Sequence, residues 1–571
     1  MLFFFVRGPI LSISGECMVR VFEMVLDVPH SAASAWSALP ESSHHAQASR
    51  TLDASLIRAL DSLPRATRAC RNHGSGAESS GHHSLQAHGK DTAAQLTSVW
   101  MDDEGVLAAS GLRVQVETVA DERSMVVSRH TRFSPGLTVR ETLFDMTLEG
   151  DASPESALAG APDSVRHVLK LKSADPLTPS VALTCERYRW QWQSADDTVV
   201  DIVFDRIASQ SNRDAPPQRE LRLSAPYVED AVGRSLATLF ALAHELVVAL
   251  PAFPALGTAF DHACDSVGVS TIPSTPAHAT SIDLTGLSTP QAALIAICNN
   301  LTEHWFGNDA GVRDSISAEF VHQLRVSQRR LKTALRIFPH WVDDAWTTRI
   351  APDLKWLGGI LGEARDWDVF VDSTLPALAA ADTQSERWNP TRERANLRRL
   401  EEREHIQAAV ASTRYAQLAL AWLEWLSVLP SREPPAKGRD QSLQAYARTR
   451  VRKYYDRLVS APKLTTLDDK ARHKERIQAK YLRYTLEFFE SIASRRTRSE
   501  CAKTVSLLQS VLGDGNDVAV ALRYLEALDV EPYQAGFARG WCEAAKRYAA
   551  QEGERLLRSL DKPKISRGGA G

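Results

Sequence analysis

The sequence predicts a multidomain α+β protein, with antiparallel β-structure in its N-terminal half and an internally duplicated, all-helical C-terminal half. Three observations carry this. Residues 96–225 alternate polar and apolar in steps of two, as in Leu112-Arg113-Val114-Gln115-Val116-Glu117, Val199-Val200-Asp201-Ile202-Val203-Phe204 and Glu220-Leu221-Arg222-Leu223, with Gly, Pro, Asp and Ser turns between the runs. From Pro290 to about Arg558 the spacing is helical, broken at Ser431–Gly438. Within that half, His322-Gln-Leu-Arg325-Val-Ser-Gln-Arg329-Arg330-Leu-Lys332 recurs as His473-Lys-Glu-Arg476-Ile-Gln-Ala-Lys480-Tyr-Leu-Arg483. Leu357-Gly-Gly-Ile-Leu361-Gly362-Glu-Ala-Arg365-Asp366 recurs as Leu508-Gln-Ser-Val-Leu512-Gly513-Asp-Gly-Asn516-Asp517, and both offsets are 151. Two blocks with one spacing mark a tandem duplication of a multi-helix unit.

In chain order, residues 1–17 are apolar but broken by Arg7, Gly8 and Pro9. They read as an extension ahead of Met18 rather than a secretory signal. The first domain spans 18–264. Its segment 42–95 is rich in Ser, His, Gly and Ala, including His44-His45 and His82-His83 without ligand spacing, and is expected to be a mobile insertion. Leu236–Phe253 is apolar, but His244, Glu245 and Pro251 make it too short and too polar to span a bilayer. Residues 265–289 read as a linker, 290–558 as the helical domain and 559–571 as a disordered tail. The seven cysteines (Cys17, Cys70, Cys185, Cys264, Cys298, Cys501, Cys542) have no metal-ligand or paired spacing. They predict a reducing, cytoplasmic compartment, with no structural zinc and no other metal site.

The net charge of −3 hides an asymmetry: residues 285–571 carry 44 Lys/Arg against 36 Asp/Glu, a net +8, while residues 1–284 carry −11. The basic half is the one that attracts anions. Its first block places His322, Arg325, Arg329, Lys332 and Arg336 at i, i+3, i+7, i+10 and i+14, one stripe of a helix. Leu324, Leu331, Leu335 and Phe338 form the anchoring stripe. The second copy repeats the pattern with His473, Arg476, Lys480 and Arg483, anchored by Leu482, Leu486 and Phe489. Like charges three and four apart oppose helix formation by a few tenths of a kcal/mol per pair, so twin unbroken cation rows point to a linear polyanion held by charge-assisted hydrogen bonds. The histidines would add charge mainly below pH ~6.5. Gly362 is expected to permit close helix approach, and Asp366 and Asp517 to orient the basic row.

These residues carry a resemblance. Across roughly residues 290–555, the motifs His322-x-x-Arg325-x-x-x-Arg329-Arg330-x-Lys332, Leu361-Gly-x-x-Arg365-Asp366-x-Asp368, Arg476-Ile-x-x-Lys480-x-x-Arg483-Tyr484 and Leu512-Gly-x-x-Asn516-Asp517 resemble the CHAD family. The resemblance implies two pseudo-symmetric four-helix bundles with a basic channel that binds inorganic polyphosphate, in some members on polyphosphate granules. The first half resembles a degenerate CYTH domain, which implies an antiparallel tunnel-like β-barrel with flanking helices. Val21-Phe-Glu23-Met-Val25-Leu26 stands where that family has Glu-x-Glu-x-Lys, and Glu220-x-Arg222 where it has Glu-x-Glu. Asp102, Arg113, Lys170, Lys172, Glu186, Arg187 and Arg189 match other strand positions.

The expectation is therefore non-catalytic binding of polyphosphate through His322, Arg325, Arg329, Arg330, Lys332, Arg336, Arg365, His473, Arg476, Lys480 and Arg483. No cofactor and no catalytic residue is expected, Glu23, Arg113 and Glu220 being residual positions of the first half. Triphosphate hydrolysis needs carboxylates around a divalent cation, so the alternative, an inorganic triphosphatase using Mg2+, has lost two of four acids and a lysine. Nucleic-acid binding is a third reading, disfavoured because no aromatic interleaves the rows for base stacking. No membrane partner is expected.

Overall fold

The computed structural model describes residues 19–29, 45–68, 94–102, 106–169, 177–208, 217–258, 275–315, 317–436 and 441–566. The first half contains strands β1 (Arg20–Asp27), β2 (Ala66–Arg68), β3 (Ala94–Asp102), β4 (Leu112–Val119), β5 (Glu122–Ser134), β6 (Leu137–Leu148), β7 (Thr178–Gln193), β8 (Val199–Ala208), β9 (Gln218–Pro226) and β10 (Phe253–Ala255). Eight of them close in the order β1-β6-β5-β4-β3-β7-β8-β9, with β9 returning to β1 through pairs such as Val25 with Arg222. β10 and β2 attach outside this ring, to β1 and β7. The result is the closed antiparallel barrel that the resemblance implied, and closure removes the free strand edges.

Alternation explains the barrel's two surfaces. Phe22, Met24 and Leu26 on β1, Leu221, Leu223 and Ala225 on β9, and Val200, Ile202 and Phe204 on β8 are buried in the main core. The intervening residues, including Glu23, Asp205, Glu220 and Arg222, face the lumen. Helices α1 (His45–Asp61), α2 (Val106–Ala109), α3 (Pro154–Ala159), α4 (Asp163–Leu169) and α5 (Val232–Ala249) flank the ring. Part of the segment expected to be mobile is thus ordered: α1 and β2 fall within 42–95. Leu52, Leu56, Leu60 and Leu63 form an apolar stripe buried against the barrel, and they outweigh the polar composition around them.

The second half contains α6 (Pro290–Asp314), α7 (Ala318–Ile337), α8 (Ala351–Val369), α9 (Leu375–Ala381), α10 (Asn389–Val410), α11 (Thr413–Val428), α12 (Leu443–Val459), α13 (Asp469–Phe488), α14 (Ala502–Ala527) and α15 (Pro532–Arg558). The duplication is visible to the residue. α7 and α13 have the same bounds at offset 151, and so do the π-turns Trp346–Ile350 and Thr497–Cys501 that lead into α8 and α14. α6 begins where Thr289 accepts from the Ala292 N–H with Pro290 at the first helical position. Gly311 is required by close approach: an added Cβ would come within 2.2 Å of the Phe320 ring on α7.

Two expected boundaries are corrected. Residues 275–289 of the linker are docked: Leu284 is fully buried and its N–H donates to Ser491 Oγ at 2.9 Å. Residues 559–566 of the expected disordered tail are also ordered, with Ile565 bridging Ala493 and buried, because it covers the apolar start of the α14 unit.

α5 qualifies as a membrane span by length and composition over Glu229–Ala249, at mean hydropathy 1.4, contrary to expectation. Its apolar face packs instead between β1 and β9 on one side and α11 on the other. One core therefore runs from barrel to helices, and polar contacts rim it: Arg349 and His244 meet Glu424 at 2.9 and 3.5 Å, and Arg132 meets Glu303 at 2.5 Å. At this seam burial pushes the Asp27 carboxyl up to about 7, against the pull of Arg313.

Candidate polyanion groove

α7 and α13 pack against each other, each backed by its own partner, α8 and α14. The apolar stripes do the anchoring: Leu324, Leu331, Leu335, Phe338, Leu482, Leu486 and Phe489 are all buried. This turns the two cation rows toward a common groove about 21 Å long, the rise over the fourteen steps from residue 322 to residue 336. Arg325 donates to Asp366 Oδ1 at 2.7 Å and to the Gly362 carbonyl at 3.1 Å. Arg329 donates to the Tyr484 hydroxyl at 2.7 Å, and Arg483 lies over the same ring at 4.3 Å. Arg336 lies over Tyr481 at 4.6 Å. Lys332 Nζ lies over Gly358, where an added Cβ would approach it to 2.5 Å.

Charge compensation in the groove is sparse. Among the described residues, Asp366 pairs with Arg325 and Glu487 with Arg330 and Arg483. Arg329, Lys332, Arg336, Arg365, Arg476 and Lys480 form no ion pair among the described residues. Burial, reinforced by Arg476, Arg329 and Arg325, pushes the Lys480 ammonium down to about 7, with Asp517 offsetting little of it. Burial also lowers Arg476 and Lys332. Burial, joined at Lys480 and Arg476 by the neighbouring guanidinium groups, thus works against the charge of these side chains.

Three expectations change. Arg330 is not on the groove: it is 1% exposed, held by Glu487 at 2.7 Å, by Asn300 and by His304, and lies against the Phe488 ring. One residue past Arg329 is a turn of about 100° toward the core. His322 carries no charge near neutrality, because burial and Arg365 push its imidazole down to about 4; His473 is exposed and contacts Asn516 Oδ1 at 2.7 Å. Gly362 does not serve helix approach. An added Cβ there would meet only Arg325, at 4.0 Å, and at Gly513 the atom in that place is Arg476 Nη2, also at 4.0 Å. The duplicated glycines give each arginine a bed.

Sequence reading missed Arg450, Lys453 and Arg457 on α12. Lys453 lies in the field of Arg457, Arg450 and Arg336, which, after burial, hold its ammonium below its usual range. Their i, i+3, i+7 spacing is that of the rows, but no counterpart exists 151 residues earlier, so the repeat did not mark them.

The lumen carboxylates Glu23, Asp205 and Glu220 are paired with guanidinium groups, whereas Arg189 forms no ion pair among the described residues, and burial, then Arg187, lowers it. Glu23 accepts from Arg140 at 3.0 Å, and its carboxyl, although burial works the other way, is held down at about 2 by Arg222, Arg140 and His130. Asp205 takes both Arg187, at 2.7 and 2.9 Å, and Arg222, at 2.9 Å; Arg222 also reaches Glu220 at 3.2 Å. Arg187 bridges on to Glu117 at 2.7 Å. Arg113 stacks over Trp100 at 4.6 Å. Asp102 instead caps α2, accepting from the Leu107 and Ala108 N–H groups. Glu186 points to the other side of β7 and pairs with Arg206. Lys170 and Lys172, like the His44-His45 and His82-His83 side chains, lie outside the described residues. Among the described residues no group of three or more His, Cys, Asp or Glu could hold a metal ion. Guanidinium groups occupy the lumen carboxylates Glu23, Asp205 and Glu220, the oxygen donors that a hard cation would need.

Among curated proteins, none matches this chain. The CHAD domain of the plant Ricinus communis is 28% identical, at a TM-score of 0.43, over 51% of this chain and 100% of its own. PptA from Streptomyces chartreusis is 18% identical (TM-score 0.38) over 48% of this chain and 99% of its own. HpAC1 from Hippeastrum, whose structure is described as revealing a dominant triphosphatase activity, is 12% identical (TM-score 0.27) over 44% and 98%. The CHAD domain family model matches residues 296–526, spanning both basic helices and the Leu-Gly motifs beneath them, and this part of the chain is a CHAD domain.

Proposed function

We propose that the chain binds inorganic polyphosphate along the groove between α7 and α13, without catalysing a reaction. The observation that carries this is the gathering of Arg325, Arg329, Arg476 and Lys480 with few carboxylates in range; burial first, and then the three guanidinium groups, push Lys480 down to about 7. Such an arrangement is unfavourable while empty and is relieved by a chain of phosphates, each offering acceptors to guanidinium and ammonium groups. Short nucleobase contacts are not provided for: the ring faces of Tyr481 and Tyr484 are already covered by Arg336 and Arg483. The test is competition on the full chain. Long-chain polyphosphate should displace duplex DNA at equal phosphate concentration, and the reverse order would overturn the proposal. Both interactions will weaken steeply with salt, so salt alone does not separate them.

In this reading the barrel is not a working triphosphatase, because Arg222 stands as an internal cation among Glu23, Asp205 and Glu220. The parent should release no phosphate from tripolyphosphate with Mg2+ at ordinary enzyme rates. Only the double variant Arg222→Glu with Val25→Lys should gain activity; an active parent would sink this part of the proposal.

A further inference from the structure

We infer that the groove does not end with the α7 row but turns onto α12, where Arg450, Lys453 and Arg457 join Arg336 in a second phosphate-chain subsite present at one end only. This rests on the polyphosphate reading and adds to it a direction and a minimum ligand length. The placement is set by hydrogen bonds. Ser442 caps α12, accepting from the Ala445 N–H, and Leu443, Tyr446, Ala447, Val451, Tyr454 and Leu458 bury one side of the helix. The Tyr446 hydroxyl donates to the Ile337 carbonyl at 2.7 Å, and that of Tyr454 to the Arg336 carbonyl at 3.4 Å. Those carbonyls belong to the last turn of α7, the negative end of that helix, which otherwise lacks partners there. α12 is thereby pinned across the end of the cation row.

Its own cations continue that row. Arg450 lies over Tyr446 at 4.7 Å, Lys453 over Tyr454 at 5.7 Å and Arg336 over Tyr481 at 4.6 Å, while Tyr454 and Tyr481 meet at 5.7 Å. A cluster of tyrosine rings therefore carries the guanidinium and ammonium groups and fixes them at little cost in side-chain freedom. None of Arg336, Arg450, Lys453 and Arg457 forms an ion pair among the described residues. The nearby Asp456 is paired with Arg452. The charge of this cluster is as uncompensated as that of the central groove.

The cluster has no twin. At offset 151 the corresponding residues of α6 are Asn299, Thr302 and Phe306; Thr302 is fully buried, donating to the Cys298 carbonyl and accepting from Trp422, and Phe306 is core. The first copy gave up these positions to pack against α11. The seven steps from Arg450 to Arg457 add about 10 Å to the track, so a short phosphate chain fits the central groove while a long one also covers α12.

The experiment uses the full chain, with tripolyphosphate and long-chain polyphosphate as probes, and compares the parent with Arg450→Gln/Lys453→Gln/Arg457→Gln. Arg457 is exposed and Arg450 and Lys453 are half-buried, so thermal unfolding should confirm that the variant is folded. The long chain should bind the variant about tenfold more weakly, with a shallower salt dependence, while tripolyphosphate affinity is unchanged. Equal loss for both probes, or none for the long chain, overturns the inference while leaving the groove reading intact. A parent that binds neither probe overturns the groove reading itself.

Discussion

Lys480→Met should melt at a higher temperature than the parent and bind long-chain polyphosphate about 10- to 100-fold more weakly. The two effects have one cause. In the empty groove the ammonium is half-buried beside Arg476, Arg329 and Arg325, and its proton affinity has fallen to about 7. Replacing it with an apolar side chain of similar length removes repulsion and desolvation, a gain of about 1 kcal/mol of the kind seen when functional strain is relieved. The ligand then loses a charge-assisted hydrogen bond of about 1.5–3 kcal/mol. A pH signature goes with it. Because the unliganded Lys480 titrates near 7, the parent should bind more tightly as pH falls from 8 to 6, taking up a proton on binding, and the Met variant should lose that part of the slope. His322, already down at about 4, is uncharged in the empty groove across this range. Calorimetric titration in buffers of different ionisation enthalpy would measure the proton uptake. A variant less stable than the parent, or one with unaltered affinity, would remove the case for a strained groove.

Arg330→Ala should behave in the opposite way, losing about 3–5 kcal/mol of stability with little change in affinity per folded molecule. Its guanidinium neutralises Glu487 from inside the core and fills space against Phe488. Truncation leaves a partly buried carboxylate with only Arg483, at 3.5 Å, and a void beside it. Urea unfolding checks the first claim, and titration at low temperature checks the second. Intact stability would return Arg330 to the groove.

These two residues show what the sequence could and could not say. The duplicated rows were legible because the 151-residue offset and the 3.6-residue period are both properties of the chain itself, and the helix bounds repeat at that same offset. Arg330 was misplaced because a basic neighbour in a duplicated block reads like its companion, although the second copy carries Tyr481 in its place; the position of Glu487 shows where its guanidinium goes. Lys453 was overlooked because it depends on two tyrosines reaching carbonyls more than a hundred residues away. In the barrel, alternation revealed the strands. The neutralisation of Asp205 and Glu220 by Arg222 followed once register set them side by side. The Leu52–Leu63 stripe was readable and was masked by its surroundings.

α11 has a consequence for how the chain can be handled. It presents Leu418, Trp422 and Leu423 among its fully buried residues, with Gly136 of the barrel's β5–β6 turn set directly against Leu423. Severing the polypeptide between its two halves would uncover an oily stripe that water cannot solvate. The barrel is the cover over that stripe, and without it the helical half is expected to stick to other copies of itself.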